Sequence, residues 1–204
     1  MLISKRADRR GALGLAIAAA VVLSAAGVPA PAEAVQAQYP VTPRTQCSFG
    51  GWSVDPEGQN VRAAPSADAQ VVGRLAPYVA PAGMPSPYGS IFSVVAARDA
   101  WFFIDTVSDP YVRGGRIDYR TSPLRGWISG RYIRFRIISE LGFAEPSARA
   151  RQIYSGDPQP PFERLLDCRG EFGRVQMQGG RQPWFRGICG MPDFCDGVLG
   201  DRRR

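Results

Sequence analysis

The chain is 204 residues long, with 45% hydrophobic and 21% charged residues, so it can bury an ordinary core in one or two small domains and is not a disordered polymer. It carries +7 at neutral pH and contains no histidine, which excludes Ser-His, Cys-His and imidazole-base mechanisms and any His-ligated zinc site. Its 23 glycines and 18 prolines, about a fifth of the residues, favour a loop-rich β protein.

The first predicted element is an export signal. Lys5, Arg6, Arg9 and Arg10 precede an uncharged, mostly apolar stretch from Gly11 to Ala30, and Ala32-Glu33-Ala34 supplies the small-residue cleavage pattern. Residues 1–34 are therefore expected to be removed after Ala34, with Ala32 as the alternative position. The competing reading is a retained membrane anchor, against which Pro29 and Pro31 break the end of the segment. Removal takes away four cations and two anions and leaves +5, carried by arginine alone because Lys5 is the only lysine. The arginines suit an anionic partner, but a compositional bias that also raises Ala, Gly and Pro is the simpler explanation. Residues 35–46, with Pro40 and Pro43, read as a linker or surface arm, and residues 198–204 as a basic tail.

Cys47, Cys168, Cys189 and Cys195 are even in number in a chain read as exported, which predicts two disulfides in an oxidising compartment, the periplasm or the exterior. Three connectivities are open. The expected one joins Cys47, which begins the fold, to Cys195, which nearly ends it, and leaves Cys168 with Cys189. No Cys-x-x-Cys pair exists, so a metal site is the weaker reading.

From Cys47 onward, short apolar or alternating runs are broken by turn residues. They are Asn60–Ala64, Val71–Leu75, Ile91–Ala97, Trp101–Val107, Gly126–Ser129 and Ile133–Ile137. None reaches helical length with a period of 3.6, so the prediction is an all-β chain, an antiparallel meander forming a small barrel. Arg98-Asp99-Ala100 and Gly179-Gly180 read as hairpin turns, and Pro77–Ser90, with four prolines and two tyrosines, as a long loop. The second half echoes the first in order. Ala64-Pro65-Ser66-Ala67 returns as Glu145-Pro146-Ser147-Ala148, Val94–Ile104 as Leu165–Val175, and Gly126–Gly130 as Pro183–Gly187, at offsets of 81, 71 and 57 residues. The division expected is one domain over 47–137 and a divergent second copy, or a disulfide-stapled extension, over 138–197.

Gln59-Asn60-Val61-Arg62-Ala63-Ala64-Pro65-Ser66, then Val71-Val72-Gly73-Arg74-Leu75, a hairpin carrying Trp101, and Gly126-Trp127-Ile128 before Tyr132-Ile133 together resemble the bacterial SH3 (SH3b) family. The resemblance covers residues 50–137 and, more faintly, 138–197. It implies two small SH3-like β-barrels in tandem and recognition of a peptidoglycan stem peptide or cross-bridge. The loop before Ile91, the stretch Ser108–Ser122 and the cysteines depart from the family pattern. The motif also has a local logic: Pro65-Ser66 ends a strand because proline lacks an amide hydrogen for the ladder, and Asp68–Gln70 makes a polar turn.

Tyr78, Tyr88, Tyr111 and Tyr119 fall in predicted loops and are the stronger candidates for an exposed aromatic ligand surface. Trp101 and Trp127, on facing strands, are candidates too, although packing is their simpler role in a small barrel. Acid pairs Asp55 with Glu57, Asp105 with Asp109 and Glu163 with Asp167 lack the cleft that glycan hydrolysis needs, so no catalytic residue, cofactor or metal is expected. The function expected is an exported, non-enzymatic binding module for peptidoglycan or another envelope ligand. The alternative is an adaptor or inhibitor that docks another exported protein. No nucleic-acid partner is expected, and no membrane span once the signal is removed.

Overall fold

Alternation of side chains defines the first strand. β1 (Gln46–Ser53) buries Cys47, Phe49, Gly51 and Ser53 and turns the residues between them outward. In the computed structural model the described residues are 46–157 and 160–190, so the expected export signal, nearly all of the arm, Cys195 and the basic tail lie outside them. β2 (Asn60–Arg62) and β3 (Val71–Arg74) form a hairpin around Pro65-Ser66. β4 (Ile91–Arg98) and β5 (Trp101–Arg113) are joined by Asp99 and Ala100, with φ of 52° and 61°, a two-residue turn whose twist suits a hairpin.

β5 runs well past the expected end at Val107. Trp101–Ile104 pair with β7 (Gly126–Ser129); beyond Thr106, at φ 51°, residues Val107–Arg113 pair with β6 (Arg116–Ser122). The stretch Ser108–Ser122 thus lies in a two-stranded ribbon. The run Ile133–Ile137 is split into β8 (Ile133–Arg134) and β9 (Arg136–Ile137), and the Phe135 ring between them packs at 5.4 Å on Phe49 and 4.7 Å on Phe162. β10 (Leu141–Phe143), β11 (Gln152–Ser155), β12 (Phe162–Arg169), β13 (Phe172–Met177), β14 (Trp184–Phe185) and β15 (Ile188–Cys189) follow.

The strands form an eight-stranded sheet, β3-β2-β7-β5-β4-β1-β8 with β6 on β5, a five-stranded sheet, β11-β10-β14-β13-β12, and the pair β15-β9. The fold is all-β, and among the described residues the only helical turn is a single 3-10 turn at Gly130–Tyr132. The sheets do not close on themselves through the strand pairings of the described residues. No helix among the described residues is long and apolar enough to cross a membrane.

One apolar cluster runs through both large sheets, with Val61, Val94, Phe102, Ile104 and Ile128 from the first and Leu165, Val175, Met177 and Phe185 from the second. The disulfide follows this joint. Gly170 N donates to the Gln46 carbonyl and Ser48 N to the Gly170 carbonyl, both at 2.8 Å, which lays the start of β1 beside the end of β12. Cys47 is bonded to Cys168, with Cα atoms 5.5 Å apart. This corrects the expected pairing of Cys47 with Cys195 and Cys168 with Cys189: chain position suggested the first with the last, whereas strand register brings the first to the second. Cys189 is also disulfide-bonded.

The two Pro-Ser turns are built alike. Ser66 N donates to the Ala64 carbonyl at 2.8 Å and Ser147 N to the Glu145 carbonyl at 2.7 Å, and each serine hydroxyl accepts from the amide two residues on, at 3.2 Å. Ala63 N and Ala144 N then close the turns onto the Gln70 and Arg151 carbonyls, each at 2.9 Å.

Candidate functional site

The floor of the site is a row across the first sheet. Trp52 lies opposite Ile91 on one side and Arg134 on the other, and Ile91 lies opposite Ser108, which faces Thr121. Tyr119, two residues before Thr121, falls on the same side of β6 because side chains alternate along a strand.

The wall is the loop Pro77–Ser90. Tyr78 N donates to the Asp55 carbonyl at 2.8 Å, and Tyr88 N donates to the Val79 carbonyl at 3.1 Å, so the loop returns on itself and brings its two tyrosines together. Gly89 permits this return, since a Cβ there would strike the Ser53 carbonyl and press on the Tyr78 ring. At the base, the buried Ser90 hydroxyl donates to Asp109 Oδ1 and accepts from Ala76 N at 2.8 Å; Ala76 N is also 3.4 Å from Asp109 Oδ1. One carboxylate of the ribbon therefore holds both ends of the loop. Asp109→Ala is expected to cost about 1–3 kcal/mol, because it strips a buried hydroxyl of its acceptor. Hydrogen exchange should speed up at the amides of Tyr78, Val79 and Tyr88 while β12 and β13 stay protected. Unchanged exchange in the loop would show that Asp109 does not hold it.

Trp52, Tyr78, Ser86, Pro87, Tyr88, Gly89, Ile91 and Tyr119 line an open pocket of about 310 Å³. That is the lower end of the range for small-ligand sites, about 300–1,000 Å³. Among the described residues, no charged side chain lines it. Arg134, across the ladder from Trp52, is turned elsewhere: its guanidinium lies 5.3 Å from the Phe162 ring centre and donates to the Arg131 and Ile133 carbonyls at 3.0 and 2.9 Å. Burial lowers its pKa from the ordinary arginine value.

Of the six aromatic candidates, Tyr78, Tyr88 and Tyr119 meet in this pocket, and the other three lie elsewhere. Trp127 is buried edge-on against Phe103 at 5.5 Å, beside Ala96, with Trp101 packed on the same cluster. Tyr111 pairs across the ribbon with Asp118, one residue from Tyr119 and so on the opposite face; its hydroxyl donates to Asp118 Oδ2 at 2.8 Å under the Arg120 guanidinium. Trp52 was not among the candidates. The stretch Gln46–Ser53 carries two glycines and only a short alternation, which hid the strand that presents the indole.

The Tyr111–Asp118 bond shifts both groups. Asp118 is held below the ordinary carboxylate value by the Tyr111 hydroxyl, then by the Tyr119 amide and Arg113. Tyr111 is held above the ordinary phenol value, first by its hydrogen bond to Asp118 and then by slight burial and the Asp118 charge. A depressed carboxyl contributes above its unfolded pKa and loses that contribution as pH falls through the folded value. A raised phenol contributes below its unfolded pKa and loses it as pH rises through the folded value. The ribbon tie is thus expected to hold between those limits and to fail at both. NMR titration should place the Asp118 midpoint below that of an ordinary aspartate, and Tyr111→Phe should move it back up; an unmoved midpoint would count against the bond.

Four of the six acidic residues weighed for hydrolysis hold local backbone or a buried hydroxyl. Asp55 accepts from Glu57 N at 3.0 Å, Asp105 from Thr106 N at 2.7 Å and Asp167 from Cys168 N at 2.8 Å, while Asp109 holds Ser90. The chain matches no protein-family model and no curated protein.

Proposed function

We propose that the protein is an exported, non-enzymatic binding protein of the cell envelope, periplasmic or secreted, built from two SH3b-like units, and that its aromatic pocket receives peptidoglycan. The observation that carries this reading is the convergence of Trp52, Tyr78, Tyr88 and Tyr119 on one pocket. Aromatic rings gathered from separate elements supply large contact area with few rotatable bonds, which suits holding rather than transforming a ligand. The disulfide supports an oxidising compartment.

Strand register supports the duplication. The order β3-β2-β7-β5-β4 in the first sheet has the same sequence of roles as β11-β10-β14-β13-β12 in the second. Asn60↔Arg74 corresponds to Leu141↔Ser155, Val94↔Ile104 to Leu165↔Val175, and Arg62↔Trp127 to Phe143↔Trp184. These pairs keep the offsets of 81, 71 and 57 residues found in the sequence echoes. The ladders slip at equivalent places too, between Val61 and Arg62 as between Gly142 and Phe143, and between Val94 and Ala96 as between Leu165 and Asp167.

Co-sedimentation with purified wall sacculi tests the proposal. The protein is expected to pellet with the sacculi, to leave no clearing on a wall zymogram, and to remain in solution when Trp52 is replaced by alanine. Wild-type protein that stays in the supernatant would overturn this reading in favour of an adaptor or inhibitor docking another exported protein through residues 77–90.

A further inference from the structure

Resting on that reading, we infer that the pocket takes the glycan of the wall rather than its peptide: the ligand is a run of N-acetylated amino-sugar rings laid on Trp52, Tyr78, Tyr88 and Tyr119. Three observations carry this. Among the described residues the lining holds no charged side chain, and the arginine nearest in register, Arg134, is committed to the Phe162 ring and to backbone carbonyls. A stem peptide brings several carboxylates and an ammonium, and burying unpaired charge against uncharged walls is costly. An N-acetylated pyranose is neutral and brings no such penalty.

The backbone beneath Trp52 and Ile91 is also already used. Peptide recognition draws its affinity from main-chain hydrogen bonds, most often at an open strand edge or along an extended groove. Here the strand bearing Trp52 is paired on both sides at that residue, and the strand bearing Ile91 is likewise flanked by two neighbours. The amides of Tyr78 and Tyr88 donate within the protein, to Asp55 and Val79. What the pocket offers is the aromatic rings of Trp52, Tyr78, Tyr88 and Tyr119. A sugar ring presents the complement, an apolar C–H face.

The third observation is size. A volume of about 310 Å³ bounded by rings from β1, β6 and both ends of the loop accommodates about one sugar ring and part of the next, with the rest of the strand outside it. Tyr78 and Tyr88 from the loop and Tyr119 from the ribbon supply the walls, and Trp52 the floor.

Calorimetric titration of the full protein with the β-1,4-linked tetramer of N-acetylglucosamine, and separately with a synthetic stem peptide bearing its free carboxylates, tests the inference beside the sacculus experiment. The tetramer is expected to bind and the peptide not to. Tyr88→Ala and Tyr119→Ala are each expected to weaken the tetramer about tenfold, as truncation of a central aromatic anchor does. Tyr111→Ala, on the opposite face of the ribbon, is expected to leave affinity unchanged. Thermal melts of each variant verify folding, and Trp52→Phe, which keeps a ring at the floor, serves if Trp52→Ala melts early. Sacculus binding with peptide affinity and no tetramer affinity would overturn the glycan assignment and leave the envelope-binding reading standing. Tetramer binding undiminished by the pocket variants would also overturn it. Failure with sacculi and tetramer alike would overturn both.

Discussion

Replacing Cys47 and Cys168 together with serine is expected to lower the unfolding free energy by about 2–5 kcal/mol, read as a fall in the calorimetric melting temperature against wild type. The bridge spans 121 residues of sequence, so without it the unfolded chain regains the freedom that so long a closed loop removes. It also joins the start of β1 to β12 at the joint where the two sheets share apolar contacts, and both cysteines are buried there. Serine at those positions adds a hydroxyl to an apolar surrounding, which acts in the same direction. A double variant that melts with wild type would show that the joint is held by packing alone.

Gly130→Ala is expected to destabilise by about 3 kcal/mol although it adds a single methyl group, because that methyl has nowhere to go. A Cβ on Gly130 would meet the Leu165 carbonyl from β12 on one side and the Phe102 ring on the other. The backbone carbonyl cannot rotate away as a flexible side chain would, and Phe102 is fully buried. Relief therefore requires the two sheets to part, which exposes the cluster they share. Chemical denaturation should show a lower midpoint with one cooperative transition, since both sheets unfold around a common core. Two separate transitions would contradict the shared core, and an unshifted midpoint would contradict the close approach at Gly130.

The strands most legible in the sequence are those whose apolar residues alternate between turn residues, such as Ile91–Arg98 and Gly126–Ser129. Hairpin turns were legible where small or polar residues accept a left-handed backbone, as at Asp99-Ala100. The ribbon Val107–Ser122 was not, because much of it projects beyond the core and its residues are mostly exposed or half-buried, leaving little period to read. The all-β class follows from local pattern, whereas closure into a barrel and the disulfide partners depend on how distant strands lie, which local pattern does not encode. For the same reason Tyr78, Tyr88 and Tyr119 were visible as aromatics in predicted loops, while their meeting with Trp52 depends on the return of the loop at Gly89 and on the Ser90–Asp109 contact. Trp101 and Trp127 carry the same chemistry but lie among Ala96 and Phe103, where packing absorbs them.

The chain has four tryptophans, Trp52, Trp101, Trp127 and Trp184, and their indole N–H resonances give one peak each in a nitrogen–proton correlation spectrum. The most direct measurement is to follow those four peaks while solubilised peptidoglycan fragments are added. Binding in the pocket is expected to move the Trp52 peak progressively and leave the other three in place. Movement at Trp101 or Trp127 with Trp52 unmoved, or no movement of any peak at saturating fragment, would contradict the assignment of the pocket as the ligand site.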